Sequence, residues 1–300
     1  MVRARCGPDS VKPHIQANSA ARRRIISAKP PPGNKTAMDT LPVPPDALIT
    51  LENQDGITFL TLNRPKQYNA LSAAMLEALH EALDRLKDDK RIRVLIIAAN
   101  GNAFCAGHDL KEMKASNDEA FVRKLFQRCS DMMLKIAKLP VPVIAEVQGM
   151  ATAAGCQLVA QCDLAIAADH ARFAVSGVNL GLFCSTPAVP LSRTISRKRA
   201  AEMLMTGDFI DAAKALDWGL LNRVVGAEGL RAETLKLAET LKAKPRDSLA
   251  MGKALLYRQM EAGIEAAYQD ASAVISCNFM QPDAQEGVAA FLEKRKPDWK

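Results

Sequence analysis

Nowhere do the 300 residues run to roughly 18 consecutive apolar side chains, so no membrane-spanning helix is expected. Histidine is scarce. His14, His80, His108 and His170 stand far apart without ligand spacing, and no metal site is expected. Paired C-x-x-C spacing is absent as well. The seven cysteines fall at 6, 105, 129, 156, 162, 184 and 277, and this odd, scattered set reads as reduced thiols in a reducing compartment. No sequence-level repeat is found. A basic body is lacking too: the net charge of +7 comes from residues 1–37, which hold eight basic side chains and one acid. The remainder carries 32 of each sign, so nucleic acid is not an expected partner.

That basic segment contains Pro30-Pro31-Pro32-Gly33 and little apolar periodicity, so residues 1–44 read as a disordered tail. Rich in arginine and poor in acids, it has the composition of an organellar transit peptide. A start of translation at Met38, with a non-native stretch before it, fits equally well.

Hydrophobic residues make up 48% of the chain and charged residues 24%, the ordinary balance of a soluble globular protein. The run 57–62 reads as a strand ending at Asn63-Arg64-Pro65. Ser72 opens a helix in which Leu76, Leu79, Leu83 and Leu86 share one face. Val94-Leu95-Ile96-Ile97-Ala98-Ala99 has the wholly apolar pattern of a strand buried on both sides. The spacing then predicts a loop over 101–109, a helix over 119–138, a strand over 141–145, a loop at Gly149 leading into a helix through Gln161, and a strand over 164–168. Such alternation predicts an α/β architecture with parallel strands. Beyond Ala212 the pattern is helical almost throughout, in segments near 228–243, 246–262, 264–278 and 284–296. Domain boundaries follow at 45–245 for the core and 246–300 for a C-terminal helical region.

Small residues gather in two loops at strand–helix junctions. One is Ala103-Phe104-Cys105-Ala106-Gly107-His108-Asp109-Leu110; the other is Gly149-Met150-Ala151-Thr152-Ala153-Ala154-Gly155-Cys156-Gln157-Leu158. Small side chains let a ligand approach the backbone, and a helix start offers unpaired N–H donors. Two such donors converging on one carbonyl oxygen would form an oxyanion hole. Close helix–strand packing selects the same residues.

Taken with their flanks, these loops carry a resemblance. Asn63-Arg64-Pro65, Asn69-Ala70-Leu71, the Ala-Gly-His-Asp-Leu loop, the stretch from Gly149 to Asp163 and the ending from Glu286 to Pro297 are similar, in order and spacing, to the crotonase (enoyl-CoA hydratase/isomerase) superfamily. The similarity covers residues 46–300. It implies an α/β fold, a crotonase-type spiral of ββα units with a helical C-terminal trimerisation region. It also implies a homotrimer or dimer of trimers acting on an acyl-CoA, with the coenzyme A thioester as substrate and no separate cofactor. The backbone N–H groups of His108 and Ala154 match the two oxyanion donors. Lys66, Ala106, His108, Asp109, Leu110 and Lys111 match positions near nucleotide and pantetheine, and Phe291 and Lys294 match residues that reach adenine or phosphates. The implied location is the mitochondrial matrix in a eukaryote and the cytoplasm in a bacterium.

Two positions depart from the pattern. Where hydratases of the family carry glutamates, this chain has Gln157 and Gly177. Glutamine binds water but exchanges no proton at neutral pH, and each missing acid/base group costs about 10²–10⁴-fold in rate. The following segment, Val178 to Pro187, resembles a mitochondrial branch of the family rather than the usual Gly-rich turn. His108 is a candidate donor to a substrate carboxylate, or an acid/base near neutral pH. Cys184 is a candidate nucleophile, although most isolated cysteines are packing residues. A methylmalonyl-CoA-type decarboxylase and a non-catalytic acyl-CoA binder stand beside the hydratase-like reading. Restoring both glutamates should raise hydration.

Overall fold

The structure is a computed structural model, and it describes residues 47–299; the expected tail of residues 1–44 lies outside them. In chain order the strands are β1 (Ile49–Gln54), β2 (Ile57–Leu62), β3 (Val94–Ala99), β4 (Ala103–Cys105), β5 (Val143–Val147), β6 (Met150–Thr152), β7 (Leu164–Ala168), β8 (Arg172–Ala174), β9 (Ile210–Asp211) and β10 (Arg223–Val225). The helices of the core are α1 (Ala73–Asp88), α2 (Leu110–Ser116), α3 (Glu119–Lys138), α4 (Ala154–Gln161), α5 (Ser185–Thr194), α6 (Arg197–Thr206), α7 (Ala212–Trp218) and α8 (Leu230–Lys242). The last three are α9 (Arg246–Gln259), α10 (Ile264–Phe279) and α11 (Pro282–Leu292).

The strands form two sheets, ordered β1-β2-β3-β5-β7-β10 and β4-β6-β8-β9. In the first, only the β1–β2 pair is antiparallel. Three successive turns of the chain each lay one strand in the large sheet and the next in the small one, followed by helix. The turns β3–β4, β5–β6 and β7–β8 are the expected ββα spiral. The apolar run of β3 is buried on both faces for this reason. Leu95 and Ile97 enter one core with α1 and α3, while Val94 and Ile96 enter another with Leu230 and Ala238 of α8.

The two long core helices follow their local chemistry. Ser72 caps α1 by accepting the Met75 N–H at 3.2 Å, and Asp118 caps α3 through the N–H groups of Ala120 and Phe121. Both bury one stripe: Met75, Leu76, Leu79, Leu83 and Leu86 in α1, and Leu125, Cys129, Met132, Met133 and Ile136 in α3.

Several expectations need correction. The strand expected at 141 starts at Val143, because Pro142 has no N–H for the ladder. The two small-residue loops each contain a short strand, β4 and β6. The region beyond Ala212 includes β10, paired in parallel with β7, Arg223 opposite Ile166.

The C-terminal helices bury little in their own chain: Lys253 in α9, no residue in α10 and Ala290 in α11. Lys253 Nζ meets Asp163 Oδ2 at 2.7 Å and the carbonyls of Ile136 and Val141 at 3.0 Å, and the Tyr257 hydroxyl donates to Asp163 Oδ1 at 2.8 Å. This polar cluster ties α9 to the entries of β5 and β7. Among the described residues, no helix is long and apolar enough to cross a membrane.

Candidate active site

The segment before α1 holds the first loop from one side. Buried Asn69, with φ of 54°, accepts the Arg64 N–H at 2.8 Å and donates to the carbonyls of Asn100 and Ala103 at 2.9 and 2.8 Å. Ala106 N–H donates to Tyr68 O at 3.0 Å, and Leu71 N–H to Gly107 O at 2.8 Å. Residues 106–109 therefore run beside 68–71. Asp109 caps α2 through the N–H groups of Lys111 and Glu112 and pairs with Arg64 at 2.9 Å. Burial alone would raise its carboxyl; Arg64 and the two N–H groups outweigh that and hold it below the usual aspartate value.

The second loop closes from the other side. Thr152 Oγ1 donates to Ala106 O at 3.0 Å. Gly107 has φ of +89°, and a Cβ placed on it would stand 2.9 Å from Ala153 Cβ and 3.1 Å from Ala154 N. Only glycine allows both that backbone and that approach. A Cβ on Gly155 would overlap the Cys105 carbonyl, so the first turn of α4 lies directly on β4. Ala153 takes φ of 48° in turning from β6 into α4, a conformation worth about 1–3 kcal/mol of strain that such sites tend to concentrate.

The outcome is a pair of neighbouring backbone donors. Ala154 opens α4, and the first N–H of a helix has no acceptor within it. Neither that N–H nor the His108 N–H has a protein acceptor among the described residues. Both lie where Gly107 approaches the start of α4.

Two side chains borne by these loops, His108 and Gln157, carry no charge. The His108 ring packs on Phe126 of α3 with centroids 4.6 Å apart, and its Nε2 is buried without a partner among the described residues. Burial pushes its pKa down to about 4, so the imidazole is neutral at pH 7. The expectation of an acid/base titrating near neutrality is corrected: among the described residues, no group beside the ring Nε2 holds its proton. Gln157, one turn into α4, is 3% exposed, and its Oε1 also lacks a partner among the described residues.

Gly177 lies in a short 3₁₀ turn, Ser176–Leu180. Its N–H donates to Cys184 Sγ at 3.3 Å, and a Cβ on it would stand 2.8 Å from that sulfur and 2.6 Å from Leu182 O. The position has no room for a side chain, which corrects the expectation that a glutamate can be restored there. Burial raises the Cys184 thiol against a smaller opposing pull from the Gly177 N–H, so no activated thiolate forms.

Of the remaining expected positions, Ala106 lies within the first loop and Leu110 opens α2, while Lys66 and Lys111 are exposed beside them. Phe291 is 81% exposed on α11 and Lys294 follows it with φ of 56°; no hydrogen bond or ion pair among the described residues joins either to the two loops. Sequence reasoning missed an open groove of about 510 Å³ lined by Leu110, Met113, Val122, Leu180 and Leu182 among others. Its one available signal was Leu180 and Leu182, large apolar residues in an apparent turn.

A family model described as enoyl-CoA hydratase/isomerase matches residues 52–300. The chain belongs to the enoyl-CoA hydratase/isomerase family. Within the family it is 46% identical to enoyl-CoA hydratase domain-containing protein 3, mitochondrial, of Mus musculus over 252 residues, 84% of each chain. It is 33% identical to a probable enoyl-CoA hydratase of Mycobacterium leprae, over 84% of this chain and 97% of that one. Among solved structures, an enoyl-CoA hydratase of Mycobacterium smegmatis superposes with a TM-score of 0.83 at 56% identity, covering 85% and 99%. Human enoyl-CoA hydratase domain-containing protein 3 superposes at 0.82 and 45% identity, covering 84% and 100%. The fold is the crotonase fold with a helical C-terminal region.

Proposed function

We propose that this chain binds an acyl-CoA thioester and polarises its carbonyl between the His108 and Ala154 N–H groups, without a carboxylate pair. The single observation that supports this reading is the close approach of Gly107 to Ala153 and Ala154, beside two backbone N–H groups without an acceptor among the described residues. Each donor stabilises an enolate-like state by about 3–4 kcal/mol. Lys66, Lys111 and Lys294 supply positive charge for the nucleotide phosphates, and Phe291 an aromatic face for adenine. The acyl group lies toward Gln157 and the apolar groove.

The exposed apolar residues Ile264, Tyr268, Ile275 and Phe279 on α10 support assembly as a trimer or dimer of trimers. We place it in the mitochondrial matrix for a eukaryotic source, a reading supported by the mitochondrial names of the vertebrate relatives, and in the cytoplasm for a bacterial one.

Incubating the full chain with crotonyl-CoA and following product by mass spectrometry tests the reaction. Hydrated product at ordinary enzyme rates means that water is activated without the glutamate pair. Binding without product retires hydration, and leaves decarboxylation of malonyl-type thioesters or a non-catalytic binder.

A further inference from the structure

The bend between β3 and β4 carries a chemistry of its own. Asn100-Gly101 is the one Asn-Gly pair in the sequence, and both residues are exposed. An asparagine amide can close a ring onto the backbone nitrogen of the next residue, and a glycine there leaves that nitrogen unshielded by any Cβ. Here the nitrogen is also unengaged: the Gly101 N–H has no acceptor among the described residues. The comparable Asp55-Gly56 pair in the β1–β2 turn differs, because the Gly56 N–H donates to Asn53 Oδ1 at 3.1 Å.

The fold itself requires the glycine. Gly101 has φ of +87°, and a Cβ on it would stand 2.6 Å from Pro65 Cβ. The Asn100 side chain is restrained by one exposed bond, Nδ2 to Asn63 Oδ1 at 3.0 Å. Its main-chain oxygen has a larger role. Asn100 O accepts from Asn69 Nδ2 at 2.9 Å, and the same nitrogen donates to Ala103 O at 2.8 Å. Gln148 Nε2 likewise spans Gly101 O and Ala103 O, at 2.9 and 3.1 Å. These four bonds fix the path of the chain into β4 and so into the loop that follows it.

We propose that Asn100 is a site of spontaneous deamidation, and that the isoaspartate it yields loosens the loop carrying Gly107 and His108. Gly101 N attacks Asn100 Cγ. The new C–N bond forms as the Cγ–Nδ2 bond breaks, and ammonia leaves with the proton lost by Gly101 N. Water then opens the cyclic imide, with no oxidation or reduction. Opening at the side-chain carbonyl gives aspartate, whose carboxylate faces Asn63 Oδ1 where an amide donor stood. Opening at the main-chain carbonyl gives isoaspartate, in which the chain runs through Cγ. The oxygen that Asn69 holds then belongs to a free carboxylate, and Asn69 no longer anchors the main chain at 100.

The test is prolonged incubation of the full chain at mildly alkaline pH, with peptide mapping by mass spectrometry and a free peptide of residues 97–103 as the rate standard. One exposed hydrogen bond must open first, so conversion at Asn100 should run about tenfold slower than in the peptide. Asn100→Gln, whose longer side chain closes a less favourable ring, should not convert. The Leu71 and Ala106 N–H groups donate to Gly107 O and Tyr68 O across the loop. Their hydrogen exchange should be about tenfold faster in converted protein than in fresh protein. A rate more than about a hundredfold below the peptide's, or conversion at Asn102 instead, overturns the site. Conversion at Asn100 with Leu71 and Ala106 exchange unchanged overturns its effect on the loop. Neither readout depends on a bound thioester, so the acyl-CoA reading stands or falls separately.

Discussion

Placing any side chain at position 177 should destabilise the protein, and the structure supplies the magnitude. A Cβ there would lie 2.6 Å from Leu182 O and 2.8 Å from Cys184 Sγ. The sulfur can yield by a rotamer change, but it then loses the Gly177 N–H it accepts at 3.3 Å. The carbonyl can yield only if the 176–182 turn moves. Overpacking of this kind costs about 1–3 kcal/mol. Gly→Ala at a compatible backbone returns about 0.4–1 kcal/mol by restricting the unfolded chain. Gly177→Ala should therefore lose about 1–2 kcal/mol in urea unfolding, and Gly177→Glu more. Cys184→Ala should cost less in the Gly177→Ala background than in the wild type, because it removes one of the two clashes. A Gly177→Ala protein as stable as wild type, with Cys184→Ala equally costly in both backgrounds, would refute the reasoning. The same geometry predicts that Gln157→Glu with Gly177→Glu does not install a working hydratase pair.

Other consequences concern ionisation. With its pKa at about 4 against an ordinary 6.5, His108 should show no titration between pH 6 and 8 by histidine-selective NMR. Its folded-state pKa is depressed, so its contribution to stability is full above 6.5. That contribution falls as pH drops toward 4, by at most roughly 3 kcal/mol. A denaturation series across that window reads the slope, and a His108→Asn variant should flatten it. Lys253→Met should cost about 3–5 kcal/mol in urea unfolding, because it strips the buried ammonium from the part-buried Asp163 carboxylate. A loss under 1 kcal/mol would mean the cluster is not what ties α9 to the core.

Long elements were readable because their periodicity reflects burial. The α3 boundaries, Glu119 to Lys138, fall where the spacing places them, and the six apolar residues of β3 mark a strand covered on both faces. Strands of three residues such as β4, β6 and β8 offer no such signal, since their pairing is set by how the spiral brings turns together. Sequence reasoning assigned no element to 185–194, which holds Pro187 and Pro190. Yet Pro187 sits in the first turn of α5, where its missing N–H costs little. At the site, Gly107 and the small residues of 149–158 were legible because close approach restricts residue type. The crowding at Gly177 was not, because it arises when Leu182 and Cys184 fold back onto it.

The central claim is that the His108 and Ala154 N–H groups polarise a thioester carbonyl, and the carbonyl itself reports on it. Isotope-edited infrared difference spectra of butyryl-CoA labelled with ¹³C at the carbonyl, bound to the full chain, should show the stretch shifted to lower frequency than in free solution. Gly107→Ala drives a Cβ against Ala153 and Ala154, and should reverse most of that shift in protein that still binds. A bound carbonyl stretch at its free-solution position in the wild type would contradict the account.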